Sequence, residues 1–241
     1  MKRRVLVTRP EPVAVATARR LAALGFDPIL LPSTQTRPLP VAVGELLENR
    51  IEGMTAVVIT SANGVRHAPA ELIAALAHLP CHAVGSKTAQ AAIAAGFMSV
   101  HEGPGDAERL AAAMAVEFAG KTIVYLCGRV RFSGFEQKLA SAGVGVFPVE
   151  TYDTIAVEYG DDAVAARLGD CPVDAVLLYS TKAAGIAGQI VHRPELAHLF
   201  RDATFLCLSQ RVASAFPSVD GERIRVSPEP NEETLLGLLS T

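Results

Sequence analysis

Short apolar segments alternate with longer amphipathic segments along nearly the whole chain. RVLVTRP, DPILLP, TAVVITS and CHAVG are aliphatic runs of strand length, each bounded by polar or turn-forming residues. Between them, AVATARRLAALG and SKTAQAAIAAG are rich in alanine and end in glycine, as helices often do. This alternation predicts an α/β protein with parallel sheets flanked by helices.

Three further helices are predicted from the same patterns. NGVRHAPAELIAALAHL has the apolar spacing of one helix, and GPGDAERLAAAMAVEF that of another, for which Asp106 is a suitable N-cap. Asp161 and Asp162 follow Gly160 and predict the start of a third helix.

The order of patterns in the first half of the chain occurs again in the second half. KTIVYLCGR matches RVLVTR and places Arg129 opposite Arg9. DAVLLYSTKAA matches TAVVITSANGV and places Ser180 opposite Ser61. The repeat covers roughly half the chain, which is too long for a solenoid repeat. We therefore expect two similar α/β domains with a ligand-binding cleft between them.

Charge and cysteine usage exclude several classes of function. The net charge is −3 and the pI about 6.1, so the chain lacks the basic field that nucleic-acid binding needs. The 4 cysteines form no CxxC pair, and the 6 histidines are scattered, so we expect reduced structural thiols and no metal site. No apolar run has the length of a membrane helix or of a signal peptide, which predicts a cytoplasmic protein.

Several short motifs in a fixed order resemble one enzyme family. VLVTRP, ITSANGV, AVGSKTA, TYDT, LLYSTKAA and SPEPNEETLL are similar to segments of the uroporphyrinogen-III synthases, and the resemblance covers nearly the whole chain. It implies a swapped arrangement in which residues 1–34 and 156–241 form one α/β domain and residues 38–149 form the other. The linkers are then expected near Leu31 to Pro38 and Val149 to Ala156, where Pro32, Pro38 and Pro148 suit extended chain.

The resemblance also implies a reaction. Members of the family cyclise hydroxymethylbilane to uroporphyrinogen III, with loss of water and inversion of the last pyrrole ring, and use no cofactor. The expected partner is therefore a small linear tetrapyrrole, bound by a monomer.

The tetrapyrrole carries eight carboxylates, which need donors at strand ends and helix starts. The candidates that we expect to bind it are Arg9, Thr60, Ser61, Asn63, Ser86, Thr88, Arg129, Ser180, Lys182 and Ser209. The alternative for the hydroxyl residues is a role as helix N-caps, and for Arg9 and Arg129 it is simple surface solvation.

Tyr152 is the candidate for assisting the chemistry. The resemblance implies a tyrosine at this linker, and a phenol is protonated at neutral pH, so it can donate a proton or hydrogen bond. The equivalent position of the first linker is Thr36, so linker geometry alone does not demand an aromatic ring. The alternative is that Tyr152 packs against the hinge with its hydroxyl in water.

A second class of function fits the same pattern. A non-catalytic module with two domains could bind a small anionic ligand in its cleft. Two features favour the enzyme. One is the tyrosine at position 152, and the other is that the repeat accounts for almost the entire chain and leaves no room for an output domain.

Overall fold

The computed structural model describes residues 2–49, 53–216 and 223–240. Its strands are β1 (Arg4–Val7), β2 (Asp27–Leu30), β3 (Thr34–Pro38), β4 (Met54–Ile59), β5 (Cys81–Ala83), β6 (Val100–Glu102), β7 (Thr122–Gly128), β8 (Gly145–Ala156), β9 (Ala175–Leu178), β10 (Thr204–Cys207) and β11 (Ile224–Val226). Its helices are α1 (Val13–Ala23), α2 (Val43–Asn49), α3 (Ala62–Arg66), α4 (Ala70–Leu76), α5 (Ser86–Ala95), α6 (Ala107–Glu117), α7 (Ser133–Ser141), α8 (Asp161–Leu168), α9 (Thr181–Val191), α10 (Gln210–Ala213) and α11 (Glu232–Gly237). Short 3-10 helices lie at Ala197–Phe200 and Leu238–Ser240.

The chain divides into two compact units. The first unit comprises Met1–Gln35 and Ile155–Thr241, and the second unit comprises Thr36–Thr154. The chain passes between them along β3 and β8, which are hydrogen-bonded neighbours. The Leu39 amide donates to the Thr151 carbonyl, and the Val157 amide donates to the Ser33 carbonyl. The residue numbers thus rise along one segment while they fall along the other, as in antiparallel pairing.

The first unit contains a five-stranded parallel sheet in the order β11-β10-β9-β1-β2. Successive side chains along each strand point to opposite faces of the sheet and so enter two different cores. Leu6 packs on the face covered by α8 and α9, and Val5 and Val7 pack on the face covered by α1 and α11. Burial on both faces explains why these strands are continuous apolar runs in the sequence.

The second unit contains a six-stranded sheet in the order β3-β8-β7-β4-β5-β6, in which β4 to β8 are parallel. Val57 and Ile59 face a core that includes α4, whereas Ala56 and Val58 face a core that includes α6 and α7. The predicted α/β fold with parallel sheets flanked by helices is therefore confirmed. The ligand-binding cleft expected from the internal repeat stays a prediction.

The helix and strand predictions were largely correct in type. α1 ends at Ala23 and is followed by Gly25 with φ of 90°, the conformation for which glycine suits a helix end. Asp106 caps α6 by accepting a 2.9 Å hydrogen bond from the Arg109 amide, and α8 begins at Asp161. The prediction of one helix over NGVRHAPAELIAALAHL was wrong, because the chain forms α3 and α4 with Pro69 between them.

Within the described residues, no helix is both long and apolar enough to cross a bilayer. The four cysteines are free, and Cys171 alone of them is exposed. Burial raises the pKa of Cys81 and of Cys127 to about 12, so both remain thiols at neutral pH. The described part of the chain also contains no cluster of three groups suited to hold a metal ion.

Candidate functional site

The carboxyl ends of the strands in the second unit collect most of the predicted binding residues. Thr60 and Ser61 follow β4, Ser86 and Thr88 lie just beyond β5, and Arg129 follows β7. Because these strands are parallel and adjacent, their carboxyl ends lie at the same edge of the sheet. The structure therefore brings these five predicted residues to one sheet edge.

The hydroxyl residues at this edge differ in what they already contact. Ser61 is the N-cap of α3 and accepts a 3.3 Å hydrogen bond from the amide of Asn63. Thr60 shares a 2.7 Å hydrogen bond with the Tyr125 hydroxyl, and burial raises the pKa of Tyr125 to about 12. Ser86 is exposed at the start of α5, whereas Thr88 is buried. The capping role weighed for Ser61 is thus present, and Ser86 remains accessible.

Tyr152 lies on β8 with its ring packed against the backbone of β7. A Cβ added at Gly128 would lie 2.7 Å from Cζ, 2.9 Å from Cε2 and 3.0 Å from the hydroxyl oxygen of Tyr152. The residue as a whole is only 9% exposed. Its hydroxyl forms no hydrogen bond with any residue that the structure describes, yet it is not among the fully buried unpaired polar atoms. The phenol is therefore fixed by packing while its hydroxyl stays reachable and available.

His67 lies beside Tyr152 and is hydrogen-bonded to Thr36. The His67 ring lies 5.9 Å from the Tyr152 ring between centroids, at an interplanar angle of 34°. His67 Nε2 is 3.1 Å from Thr36 Oγ1. Burial lowers the pKa of His67, and the charge of Arg66 lowers it further, so the imidazole is neutral at neutral pH. His67 was missed from the sequence because it is one of six scattered histidines.

Two arginines beyond β7 differ in how firmly they are held. Arg131 donates to both Glu136 and Glu150 and to the carbonyl of Gly128, so its guanidinium is fully engaged. Arg129 is 55% exposed in its side chain and makes longer ion pairs, 3.3 Å to Glu150 and 3.7 Å to Asp153. Exposed pairs of this kind contribute only about 0–1 kcal/mol. Arg129 can therefore exchange its partners for an incoming carboxylate, and its backbone amide binds the Tyr152 carbonyl at 2.9 Å.

An open groove of about 850 Å³ runs between α4 and α5 in the second unit. Alanines of both helices line most of it, and Arg66 and Lys87 contribute positive charge. Both cations are exposed, and neither has an ion pair or hydrogen bond with a described residue. These two basic side chains are thus available to anions, and no motif in the sequence singles out Arg66.

Arg9, the repeat counterpart of Arg129, is built into the first unit. Its guanidinium donates to Glu232 at 2.9 Å and lies 4.1 Å from the centroid of the Tyr179 ring. Burial would raise the pKa of Glu232, but the hydrogen bond from Thr17 and the charges of Arg9 and Arg20 leave that pKa below its usual value. Arg9 and Arg129 therefore occupy equivalent positions of the repeat but have different environments. Arg9 is less available than Arg129 to bind a substrate carboxylate.

The remaining predicted residues lie at the carboxyl edge of the first unit's sheet. Ser180 is the N-cap of α9 and accepts a 3.1 Å hydrogen bond from the Ala183 amide. Ser209 is the N-cap of α10 without a side-chain hydrogen bond, and Lys182 is exposed in the first turn of α9. These residues lie in a different unit from Tyr152, so they form a second group of candidates.

Comparison with known proteins identifies the family. A family model described as Uroporphyrinogen-III synthase HemD matches residues 15–237, which is most of the chain. The chain belongs to the uroporphyrinogen-III synthase family. No curated protein matches it.

Solved structures show that the fold is shared. Uroporphyrinogen-III synthetase from Helicobacter pylori is 15% identical with a TM-score of 0.64, covering 100% of this chain and 99% of that chain. A mutant uroporphyrinogen III synthase from Thermus thermophilus is 18% identical with a TM-score of 0.56, covering 99% of this chain and 96% of that chain.

Family membership confirms the reaction implied by the motifs. The protein is a cyclising lyase of haem biosynthesis that converts hydroxymethylbilane to uroporphyrinogen III. The alternative of a non-catalytic anion-binding module finds no support in the comparisons. Which residues carry out the reaction is a separate matter, because the family match does not assign roles to individual side chains.

Proposed function

We propose that Tyr152 is the catalytic residue of this uroporphyrinogen-III synthase and that its hydroxyl assists the departure of water from hydroxymethylbilane. The single observation that supports this proposal is that the phenol ring is held by packing while its hydroxyl has no hydrogen-bond partner among the described residues. Its ring is fixed against Gly128, while its hydroxyl is accessible and unpaired among the described residues. A side chain held in this way can donate to a leaving group without first giving up another hydrogen bond.

The reaction requires one proton donor and precise positioning of the flexible substrate. The terminal hydroxyl of the substrate leaves as water, which gives an azafulvene, and the last pyrrole then attacks through its substituted carbon to form a spiro intermediate. A carbon–carbon bond of that intermediate breaks, and the ring recloses with the last pyrrole inverted. The pyrrole nitrogens supply the electrons for these steps. General acid assistance contributes roughly 10²–10⁴-fold, and correct positioning of the flexible substrate contributes more.

The carboxylates of the substrate require cations and amides near Tyr152. Arg129 adjoins Tyr152 through a backbone hydrogen bond and is held only by exposed ion pairs. Arg66 and Lys87 have no described partner, and the first amides of α5 point to the same sheet edge. We propose that these groups, with Asn63 and Ser86, bind acetate and propionate side chains of the substrate.

The first unit supplies further candidates of the same kind. Ser180, Lys182 and Ser209 lie at helix starts beyond β9 and β10, where amide and ammonium groups attract anions. We propose that Arg9 has a structural role at this edge of the sheet, through its contacts with Glu232 and Tyr179. The cytoplasmic location and the monomeric state expected from the sequence stay predictions.

The decisive experiment compares Tyr152→Phe with Tyr159→Phe. Both changes remove one hydroxyl, and Tyr159 is a matched control because its hydroxyl binds the Pro32 carbonyl within the first unit. Purified protein is supplied with hydroxymethylbilane, and the two isomers of uroporphyrinogen are separated by chromatography. We expect Tyr152→Phe to keep its thermal transition and to form the type III isomer at least tenfold more slowly, given the range for general acid assistance of roughly 10²–10⁴.

The outcome that would refute the role of Tyr152 is wild-type turnover in Tyr152→Phe. A wild-type protein that yields only the type I isomer, which forms without an enzyme, would contradict the activity itself. Equal losses in Tyr152→Phe and Tyr159→Phe would indicate that the loss of either phenol hydroxyl disturbs the protein and would also contradict a specific role for Tyr152.

A further inference from the structure

Three side chains from separate elements of the second unit meet around one imidazole. His67 follows α3, Thr36 lies on β3 and Tyr152 lies on β8. The Thr36 hydroxyl is 3.1 Å from His67 Nε2, and the Tyr152 ring is 5.9 Å from the His67 ring. In the internal repeat, Thr36 and Tyr152 occupy equivalent positions of the two linker segments. The two equivalent positions thus contact the same histidine, Thr36 through a hydrogen bond and Tyr152 through its ring.

We propose that His67 is a positioning residue for the reaction, and that it holds the phenol of Tyr152 in its reactive orientation while Thr36 fixes the imidazole. This inference rests on the catalytic role proposed for Tyr152. His67 itself is not assigned a proton transfer.

The helix that precedes His67, α3, is anchored to the neighbouring strands. Thr151 Oγ1 donates a 2.8 Å hydrogen bond to the Gly64 carbonyl, which ties α3 to β8 at the residue before Tyr152. A Cβ at Gly64 would lie 2.6 Å from the Leu126 carbonyl oxygen, so α3 packs directly on the backbone of β7. α3 is therefore held against the same two strands that carry Tyr152 and Gly128, and His67 directly follows α3. These contacts fix the position of the backbone at His67, and the hydrogen bond to Thr36 then orients the imidazole.

The environment of His67 favours a packing role for the neutral ring. Among the described residues, the Thr36 hydroxyl from β3 is hydrogen-bonded to the imidazole and the Tyr152 ring from β8 lies beside it, while the charge of Arg66, the preceding residue, acts on it. Burial and the charge of Arg66 both lower the pKa of His67. A neutral imidazole packs on a phenol with no charge to solvate, and its Nε2 is satisfied by Thr36.

The test separates ring contact from hydrogen bonding. His67→Ala removes both, His67→Phe keeps an aromatic ring beside Tyr152, and Thr36→Val removes only the hydroxyl that holds the imidazole. His78→Ala is the matched control, because His78 is an exposed histidine. We expect His67→Ala to lower kcat for type III formation about tenfold with KM nearly unchanged, since loss of alignment affects the reaction more than binding. His67→Phe and Thr36→Val should each lose less than His67→Ala.

A double-mutant comparison distinguishes this inference from the role of Tyr152. In a Tyr152→Phe background, His67→Ala should cause no further loss of kcat, because nothing remains to be positioned. A second readout does not depend on activity. The chain has 4 tyrosines, so the signal of ¹³C-labelled Tyr152 can be assigned by its absence from Tyr152→Phe. That signal should shift in His67→Ala and not in His78→Ala.

Two results would overturn the inference while leaving the proposed function intact. One is a kcat of His67→Ala equal to that of the wild type while Tyr152→Phe is impaired. The other is an equal loss from His67→Ala in both backgrounds, which would show that His67 acts independently of Tyr152. If His67→Ala does not fold, as judged by circular dichroism, the same comparisons are made with His67→Phe and Thr36→Val. Full activity of Tyr152→Phe refutes the proposed function instead.

Discussion

Gly128→Ala displaces the phenol of Tyr152 without altering any functional group. The added Cβ would lie 2.7 Å from Cζ and 2.9 Å from Cε2 of Tyr152. Carbon atoms in contact prefer separations of about 3.5–4.0 Å. The ring must therefore move by about 1 Å, because the Cβ is attached to the backbone of β7 and cannot retreat.

The expected cost of Gly128→Ala falls on catalysis more than on stability. Overpacking of this size destabilises a protein by about 1–3 kcal/mol. A displacement of about 1 Å at a reacting group costs up to about 10²-fold in rate. We therefore expect kcat for the type III isomer to fall roughly 10- to 100-fold while the protein remains folded.

The assay is initial-rate chromatography of the two isomers, combined with thermal unfolding. Gly44→Ala is the matched control, because a Cβ at Gly44 in α2 of the same unit meets nothing within 4 Å. In a Tyr152→Phe background, Gly128→Ala should have little additional effect on kcat. Wild-type kcat in Gly128→Ala would refute the reasoning, since the ring would then have moved without consequence for the chemistry.

Two further predictions concern the charged side chains. Arg129→Ala should raise KM several-fold and leave the thermal transition unchanged, because its ion pairs are exposed. Arg131→Ala should instead lower the free energy of unfolding by about 1–3 kcal/mol, because Glu136 and Glu150 lose a charged donor. Steady-state kinetics and denaturant titration measure the two effects, and a KM effect from Arg131→Ala with a stability effect from Arg129→Ala would contradict our assignment. The pKa of Glu232 is lower in the folded protein than its ordinary value, so the stability that it contributes is present at neutral pH and is lost as the pH falls through the folded-state pKa. Glu232→Gln should therefore reduce the difference in Tm between pH 7 and acid, and an unchanged difference would show that its ion pairs are immaterial.

The strands were predictable because parallel strands buried on both faces are continuous apolar runs. Val57, Val58 and Ile59 have no exposed surface, and their segment was identified from the sequence alone. β6 and β11 were not identified, because each has only three residues and lies at the edge of its sheet with side chains partly in solvent. Length and burial thus decide which strands a pattern can show.

The site was less predictable than the fold, because its contacts join distant parts of the chain. Tyr152 could be singled out through the internal repeat, since its counterpart Thr36 is not aromatic. The partnership of Thr36 with His67 has no signature in the sequence. Likewise, nothing near Arg9 in the sequence indicates that Glu232 binds its guanidinium from the other end of the chain.

The division of the first unit into two chain segments affects how the protein can be made. β1 and β2 are synthesised first, yet β9, the neighbour of β1 on its other side, lies beyond the whole second unit. The whole second unit is therefore synthesised before β9. Until then the side chains of Val5 and Val7, which are fully buried in the folded protein, lack the part of their core that β9, β10 and α11 supply. The apolar side chains of β1 thus lack their partners in the sheet until β9 and β10 have been synthesised.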